Sequence, residues 1–430
     1  MKKTSLRGEA RASTKQSIYE SIFSMDHHAR IKNRLAMTLS ILVSINIPNN
    51  SHAGELTGYV ALDSRIFFEA PAESRQNMSN IPTLAIEPEY YHVSENYEHT
   101  LTFKPFVRID ANDDKRNHWD IRQFDWLYAK DDWELRTGVS KVFWGVTESN
   151  HLVDIINQTD SIEDTDGEDK LGQPMIQLGL FKEWGDLRLF YMPYFRERTF
   201  PSVEGRLRAA TPVEDDLTTY DSEAQRFHPD FAIRYANTFG DWDVGLSHFS
   251  GTSREPVFVQ RTNADGENVL NPHYDLIDQT SLDLQYTIEG WLWKLEAMTR
   301  TGHGRRFGAF TGGVEYTFYQ IADTEMDLGV LTEYQFDDRS GQAPATLADN
   351  DVFAGLRLTF NDIQDTAILG GVSVDSNTQS TLMFFEAERR VGNNWKAEIT
   401  GRFFANVKYN DPLAAIEDDV HIQLRIARYF

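Results

Sequence analysis

Charged side chains recur at alternate positions along many stretches of this 430-residue chain, a spacing that places them on one face of an extended strand. Arginine is frequent among them, and its planar fork binds carboxylate or phosphate groups through two parallel hydrogen bonds. Such a face predicts a surface that binds or guides small ions. The candidates are Lys104, Arg108, Arg122, Arg136, Arg188, Arg234, Arg357, Arg402, Arg425, Glu315, Asp327 and Glu333.

The polar segment 145–173 contains a second group of candidates. It includes an apolar stretch from Leu152 to Ile156, which an exposed loop has little reason to carry. We expect the segment either to fold into the interior of the protein and narrow it, or to form a short helix packed on the outer rim. The residues that would form the constriction are Trp144, Glu148, Asp154, Asn157 and Asp160.

The same segment carries Asp164, Asp166 and Glu168 around a glycine, as carboxylates are arranged in calcium loops. The twelve-residue calcium pattern is incomplete, because its last position lacks the bidentate glutamate. The sequence therefore offers a calcium site, with a solvated acidic loop tip as the alternative. No other cofactor is predicted, and the absence of cysteine excludes disulfides and thiolate metal sites.

A period of two in hydrophobicity dominates the chain from Gly54 onward and predicts β-strands with one apolar and one polar face. Tight turns at 130–131, 185, 240–241 and 290 alternate with long polar segments, each long segment following an odd strand and each tight turn an even one. Eighteen strands are expected, at 55–68, 82–93, 97–110, 119–129, 132–144, 174–184, 186–195, 229–239, 241–250, 279–289, 291–301, 308–320, 325–337, 351–361, 365–375, 379–390, 394–407 and 419–430.

This asymmetry predicts an all-β fold, a transmembrane antiparallel barrel with short periplasmic turns and long extracellular loops, of about 18 strands or alternatively 16. Six of the nine tryptophans lie near the short turns, as expected at the headgroup level of a membrane: Trp133, Trp184, Trp242, Trp291, Trp293 and Trp395. The polar strand face then lines a lumen wide enough to hold water.

The signs of the lumenal charges segregate by strand. On their lumenal face, strands 3–8 and the last two carry mainly basic side chains, whereas strands 9–13 and 16 carry mainly acidic ones. A basic wall of the barrel would therefore face an acidic wall. Opposed walls create a transverse field that orients dipolar solutes. The alternative is that the charges pair across strands and fill a narrow lumen.

Residues 1–53 lack the alternating pattern of the rest of the chain and are expected to be a secretory signal peptide. Arg30, Lys32 and Arg34 precede an apolar run over 35–47 and a small-residue cleavage site that ends at Ala53. The polar residues before Met25 suggest that translation starts there rather than at Met1. The mature region 54–430 has a net charge of −29, which argues against a nucleic-acid partner.

The end of the chain resembles the C-terminal strand of Gram-negative outer-membrane barrels. One register there contains Val420, Ile422, Leu424, Ile426 and Phe430, although Arg428 takes a position that is more often apolar. The resemblance implies location in the cell outer membrane, contact with lipid and lipopolysaccharide, and recognition by the barrel-assembly machinery.

A second resemblance covers about one strand and one loop. From Leu135 the sequence leads through Trp144-Gly145 to Glu148 and on to Asp154-Ile155-Ile156-Asn157-Gln158-Thr159-Asp160. It is similar to porin-like families of poorly known substrate, in which an arginine strand precedes a Trp-Gly-x-x-Glu element and an Asp-x-x-Asn-x-x-Asp loop.

His248, Ser250 and Asn263 resemble the His-x-Ser and later Asn of outer-membrane phospholipase A, a set that could activate a serine nucleophile. Gly251 replaces the asparagine that follows serine in that family, and the family fold implies about twelve strands. The sequence therefore predicts no enzyme.

The expected function is passive passage of small hydrophilic or anionic solutes through a porin. The alternatives are export of a charged polysaccharide, a structural or adhesive barrel with a closed lumen, and a phospholipase.

Overall fold

The computed structural model describes residues 54–77 and 82–430, so the predicted signal peptide lies outside the described residues. In the described part, no helix combines the length and the apolar character needed to cross a membrane. The short 3-10 helices are Asp114–Arg116, Asp215–Leu217, Gln225–Phe227, Ile321–Asp323 and Pro412–Ala415. The strands are β1 (Glu55–Phe67), β2 (Thr83–Val93), β3 (His99–Ile109), β4 (Trp119–Ala129), β5 (Trp133–Ser140), β6 (Gln173–Lys182), β7 (Gly185–Met192), β8 (Thr219–Tyr220), β9 (Asp230–Phe239), β10 (Trp242–Thr252), β11 (Val257–Thr262), β12 (Asn268–Tyr274), β13 (Leu276–Ile288), β14 (Trp291–Gly302), β15 (Gly304–Phe318), β16 (Asp327–Asp337), β17 (Asn350–Thr359), β18 (Ala367–Asp375), β19 (Thr381–Val391), β20 (Trp395–Ala405) and β21 (His421–Tyr429).

Eighteen of these strands form one closed antiparallel barrel, in which each strand pairs with the next barrel strand along the chain. The last strand, β21, pairs with β1, with Tyr59 opposite Tyr429 and Phe67 opposite His421. The predicted strand number is confirmed and the sixteen-stranded alternative is wrong. The remaining strands β8, β11 and β12 form a separate small sheet, in which β8 runs parallel to β12.

The two faces of the barrel wall differ in polarity. On β16, Glu333 is 3% exposed and faces inward, whereas its neighbours on the outer face, Val330 and Tyr334, are 40% and 38% exposed. Apolar side chains thus face outward while charged ones are covered, the reverse of a soluble protein. This arrangement is stable where lipid surrounds the exterior, since the closed barrel also satisfies every strand's backbone hydrogen bonds.

The two rims carry connections of different length. At the rim where the chain enters β1, connections have two to eight residues, and the exposed rings of Trp184, Trp242 and Trp291 lie there. The other rim carries segments 141–172, 193–229 and 253–275.

The prediction that every short turn follows an even-numbered strand of the barrel is wrong twice at this second rim. Five residues, 376–380, link β18 to β19, and His303 alone links β14 to β15. Because β8, β11 and β12 lie outside the barrel, β18 and β14 are its fifteenth and eleventh strands. Gly302 and Gly304 flank that histidine with φ of 121° and 74°, a conformation that a side chain would strain, and they make the one-residue connection feasible.

Candidate functional site

Residues 141–172 leave the barrel wall after β5 and turn inward. The predicted strand 132–144 ends at Ser140, because the next backbone groups pair within the segment instead of with a neighbouring strand. The Val142 amide donates to Asn157 Oδ1 at 2.8 Å. The Asn157 side chain in turn donates to the carbonyls of Ser140 and Leu171, at 2.9 and 2.8 Å, and so holds the two ends of the segment together.

The first half of this segment binds carboxylates on strands β14 and β16. The amide of Val146 donates to Glu296 at 2.7 Å, and the amides of Glu148 and Ser149 each donate to Glu333 at 2.8 Å. Backbone N–H groups of the segment therefore hydrogen-bond to carboxylates of the wall that was predicted to be acidic. The Glu148 carboxylate turns away from these acids and pairs with Arg357 on β17 at 2.5 Å.

The second half binds arginines on strands β3, β4 and β20. Asp160 pairs with Arg122 at 2.6 Å, and Glu163 pairs with Arg108 at 2.6 Å. Farther along, Asp166 pairs with Arg402 at 2.8 Å. The carboxylates of the segment thus form ion pairs with the wall that was predicted to be basic.

These contacts place the segment across the lumen. Strands β4 and β16, which bind Asp160 and Ser149, lie nine strands apart in either direction around the ring. A chain can reach inward-facing side chains of both only by passing through the interior. We call residues 141–172 the crossing segment; all of them are described and none is helical, so the alternative of a helix on the outer rim is wrong.

Apolar packing anchors the crossing segment to one side of the lumen. Val153 and Ile156 are fully buried in a cluster with Trp144 and with Phe190 and Phe249 of the wall. The Trp144 ring also lies 5.2 Å from the guanidinium of Arg234, and the amide of the same tryptophan donates to Asp154 at 3.2 Å. The apolar stretch that was unusual for an exposed loop is therefore explained by an inward position.

A histidine connects the segment to its own acidic end and to the wall. His151 Nε2 lies 3.1 Å from Glu168, and its Nδ1 lies 3.6 Å from Glu296. Burial lowers the pKa of His151, but the two carboxylates outweigh it and raise that pKa to about 10. The pKa of Asp169, in contrast, is raised well above its usual value by burial and by the nearby Glu163 and Asp166 carboxylates.

The charges of the lumen are largely paired, both with the crossing segment and from strand to strand. Arg234 binds Asp283 at 2.6 Å, and Arg425 lies 3.3 Å from Asp63 and 3.1 Å from Glu398. Most of the lumenal charges predicted from the sequence therefore have a partner of opposite sign. The contacts of the other candidates are Lys104 with Glu89 at 2.7 Å, Arg136 with Asp125 at 3.7 Å and Glu315 with Lys294 at 3.3 Å.

Two of the predicted lumenal residues differ from this pattern. Asp327 lies at the rim of short connections, where it accepts hydrogen bonds from Gln320 and Asn361, at 2.8 and 2.9 Å. Arg188 faces the interior from β7, directly opposite Arg234 on β9, and its guanidinium lies 5.6 Å from the ring of Phe181. Among the described residues, Arg188 has no carboxylate partner and is half-buried.

The three residues of the suggested calcium loop divide between two cationic partners. Asp164 and Asp166 both contact Arg402, at 3.4 and 2.8 Å, whereas Glu168 contacts His151. Calcium binding at this loop stays a prediction from the sequence.

The phospholipase-like residues lie apart in the structure. His248 faces outward, with Nδ1 2.9 Å from Thr280 Oγ1, while Asn263 donates to Glu214 at 3.4 Å. Among the described residues, no hydrogen bond joins His248 to Ser250.

Sequence reasoning missed Arg254, which helps to anchor the crossing segment. This buried side chain pairs with Asp230 at 2.8 Å and donates to the carbonyl of Ile156 at 3.1 and 3.0 Å. It comes from the polar connection 253–275, where strand periodicity gives no information about which side chains turn inward. Its only sequence signal is an arginine four residues after the end of the expected strand 241–250.

Comparison with known proteins supports the fold. The structure resembles a BenF-like porin from Pseudomonas fluorescens with a TM-score of 0.50 and 9% sequence identity, over 87% of this chain and 97% of the porin. The fold is that of an outer-membrane porin-type barrel. The carbohydrate-binding barrel Wzi, an outer-membrane protein involved in group 1 capsule assembly in Escherichia coli, matches with a TM-score of 0.49 and 9% identity over 95% of this chain and 89% of Wzi. No family description and no curated protein sequence matches the chain.

Proposed function

We propose that this porin-type barrel is a channel of the cell outer membrane for small hydrophilic or anionic solutes, and that the crossing segment sets the size of its opening. One observation carries the proposal: a segment of the chain spans the lumen from Glu333 on β16 to Arg122 on β4. A constriction formed by an inward-folded loop limits passage by size, and an accessible arginine such as Arg188 favours anions. The apolar exterior suits contact with lipid and lipopolysaccharide.

Swelling of protein-containing liposomes tests this function. Small saccharides and small carboxylates should enter faster than in protein-free liposomes, and the rate should fall steeply as solute size rises. Swelling no faster than in protein-free liposomes, with the barrel folded, would contradict passage.

The density of contacts inside the lumen favours a second candidate, a structural barrel that is closed at rest. Glu296 is fully buried beneath the segment and accepts hydrogen bonds from Val146, Thr147 and Val153. If liposomes containing the wild-type protein do not swell but liposomes containing Glu296→Gln do, the lumen is closed in its ground state. Export of a charged polysaccharide receives less support, because Arg108, Arg122 and Arg402 already bind carboxylates of the segment.

A further inference from the structure

A histidine and two aspartates converge at the rim of long connections, outside the crossing segment. Asp221 follows β8, His273 lies at the end of β12, and Asp275 follows two residues later. One oxygen of each carboxylate and one ring nitrogen of the histidine lie within 4.8 Å of one another. The three residues come from connections 193–229 and 253–275, which meet through the parallel pairing of His273 with Thr219.

The distances suit a shared metal ion better than hydrogen bonds. His273 Nε2 lies 3.4 Å from Asp221 Oδ1 and 3.3 Å from Asp275 Oδ1, both longer than the usual N–H···O range. Zinc bonds of about 2.0–2.2 Å to nitrogen and oxygen, in tetrahedral geometry, separate neighbouring ligand atoms by roughly 3.3–3.5 Å. The two separations between the histidine nitrogen and the carboxylate oxygens match edges of such a tetrahedron, and the two carboxylate oxygens lie within 4.8 Å of each other.

Each of the three side chains uses one polar atom in the cluster, and its second polar atom makes a contact that fixes its orientation. His273 Nδ1 lies 2.9 Å from Thr219 Oγ1, a hydroxyl that also accepts a hydrogen bond from Asn271 at 3.4 Å. A ring proton on Nδ1 leaves the Nε2 lone pair facing the carboxylates. Such outer partners are typical of metal-binding histidines, because they fix the tautomer and the orientation of the ring.

The carboxylates are held in the same way. Asp275 Oδ2 lies 2.6 Å from Nδ1 of His303, and Asp221 Oδ2 accepts the amide of Leu276 at 3.2 Å. The remaining oxygen of each aspartate, Oδ1, lies near His273 Nε2. Neither aspartate has a lysine or arginine ion-pair partner among the described residues, so their negative charge is available to a cation.

We propose that Asp221, His273 and Asp275 bind one divalent transition metal ion, with Zn²⁺ the best match. A nitrogen ligand and only two carboxylates suit zinc, whereas calcium takes six to eight oxygen ligands. Asp221 and His273 are 46% and 27% exposed at their side chains, so the ion has access from solvent and water completes the coordination. The metal would tie connections 193–229 and 253–275 together at the mouth of the barrel.

Isothermal titration of the full-length barrel in detergent with ZnCl₂, after EDTA treatment and dialysis, tests the site. We expect binding of one ion per chain, loss of that binding in His273→Gln, and roughly tenfold to a hundredfold weaker binding in Thr219→Val. His248→Gln is the matched control, since His248 is also exposed and has a single carboxylate 3.9 Å away, and it should bind like the wild type.

The thermal unfolding temperatures of the same proteins show whether a loss of zinc binding results from a folding defect. Without metal, His273→Gln and the wild type should unfold at the same temperature; with zinc, only the wild type should shift upward. No heat with wild-type protein would overturn the proposal, and so would equal zinc binding by wild type and His273→Gln.

Discussion

The substitution Glu296→Gln tests how the crossing segment is held in the lumen. Glu296 is fully buried, and its Oε1 accepts the amides of Val146 and Thr147 at 2.7 and 3.1 Å and the Thr147 hydroxyl at 2.8 Å. Its Oε2 accepts the amide of Val153 at 3.1 Å. Glutamine preserves the size of the side chain but has one acceptor atom and no charge, so either its NH₂ group faces an N–H donor or the segment moves.

The expected cost follows from these contacts. A hydrogen bond to a charged group contributes about 1.5–3 kcal/mol, and a buried donor left without a partner costs about 1–3 kcal/mol. Losing one such bond and weakening three others gives about 3 kcal/mol in favour of the undocked segment. Because every 1.4 kcal/mol is tenfold, the population of the undocked segment should rise roughly a hundredfold.

Amide hydrogen exchange of the detergent-solubilised barrel measures this change directly. The amides of Val146, Thr147 and Val153 should exchange roughly a hundredfold faster in Glu296→Gln, while those of the barrel strands keep their protection. Glu398→Gln is the control, because the partners of Glu398, Lys396 and Arg425, both belong to the wall. Unchanged exchange in Glu296→Gln, or an equal rise in the control, would refute this account of docking.

Three further predictions concern selectivity, pH and calcium. Replacing Arg188 by Glu should move the reversal potential in a salt gradient toward cation selectivity; an unchanged potential would remove Arg188 from the solute path. Since the folded protein raises the pKa of His151 to about 10, its protonation stabilises the docked segment fully below about pH 6.5, and this stabilisation is lost as pH rises through 10. Exchange of residues 146–153 should therefore accelerate between pH 7 and 10 beyond the intrinsic rate, and this excess should be absent in His151→Gln. If the loop with Asp166 binds calcium, titration with CaCl₂ should release heat that Asp166→Asn abolishes; no heat from the wild type would end that idea.

The barrel itself could be predicted from the sequence because strand periodicity is local. Each of the eighteen expected strands overlaps an observed barrel strand, and the boundaries differ where the chain leaves the wall, as at Ser140. The small sheet was missed, because β8 has only two residues and β11 is exposed over most of its length, without a buried apolar face. The one-residue turn at His303 was expected as a longer linker over 302–307.

The contacts of the site could not be predicted, because they join residues far apart in sequence. Glu333 and Ser149 are 184 residues apart, and no spacing rule relates a carboxylate on a strand to a backbone amide in a loop. The convergence of Asp221 with His273 likewise depends on the parallel pairing of two short strands. The sequence could show that residues 145–173 carry an unusual apolar stretch, but not that the segment would bind the charged side chains of both walls.

Single-channel recording in planar bilayers tests the central claim, that the crossing segment controls passage through this barrel. Wild-type protein should produce small, discrete conductance steps, and Glu296→Gln should produce larger or longer-lived ones, because its segment leaves the lumen more often. Bilayers that stay insulating with both proteins, when each is folded and inserted, would contradict the claim.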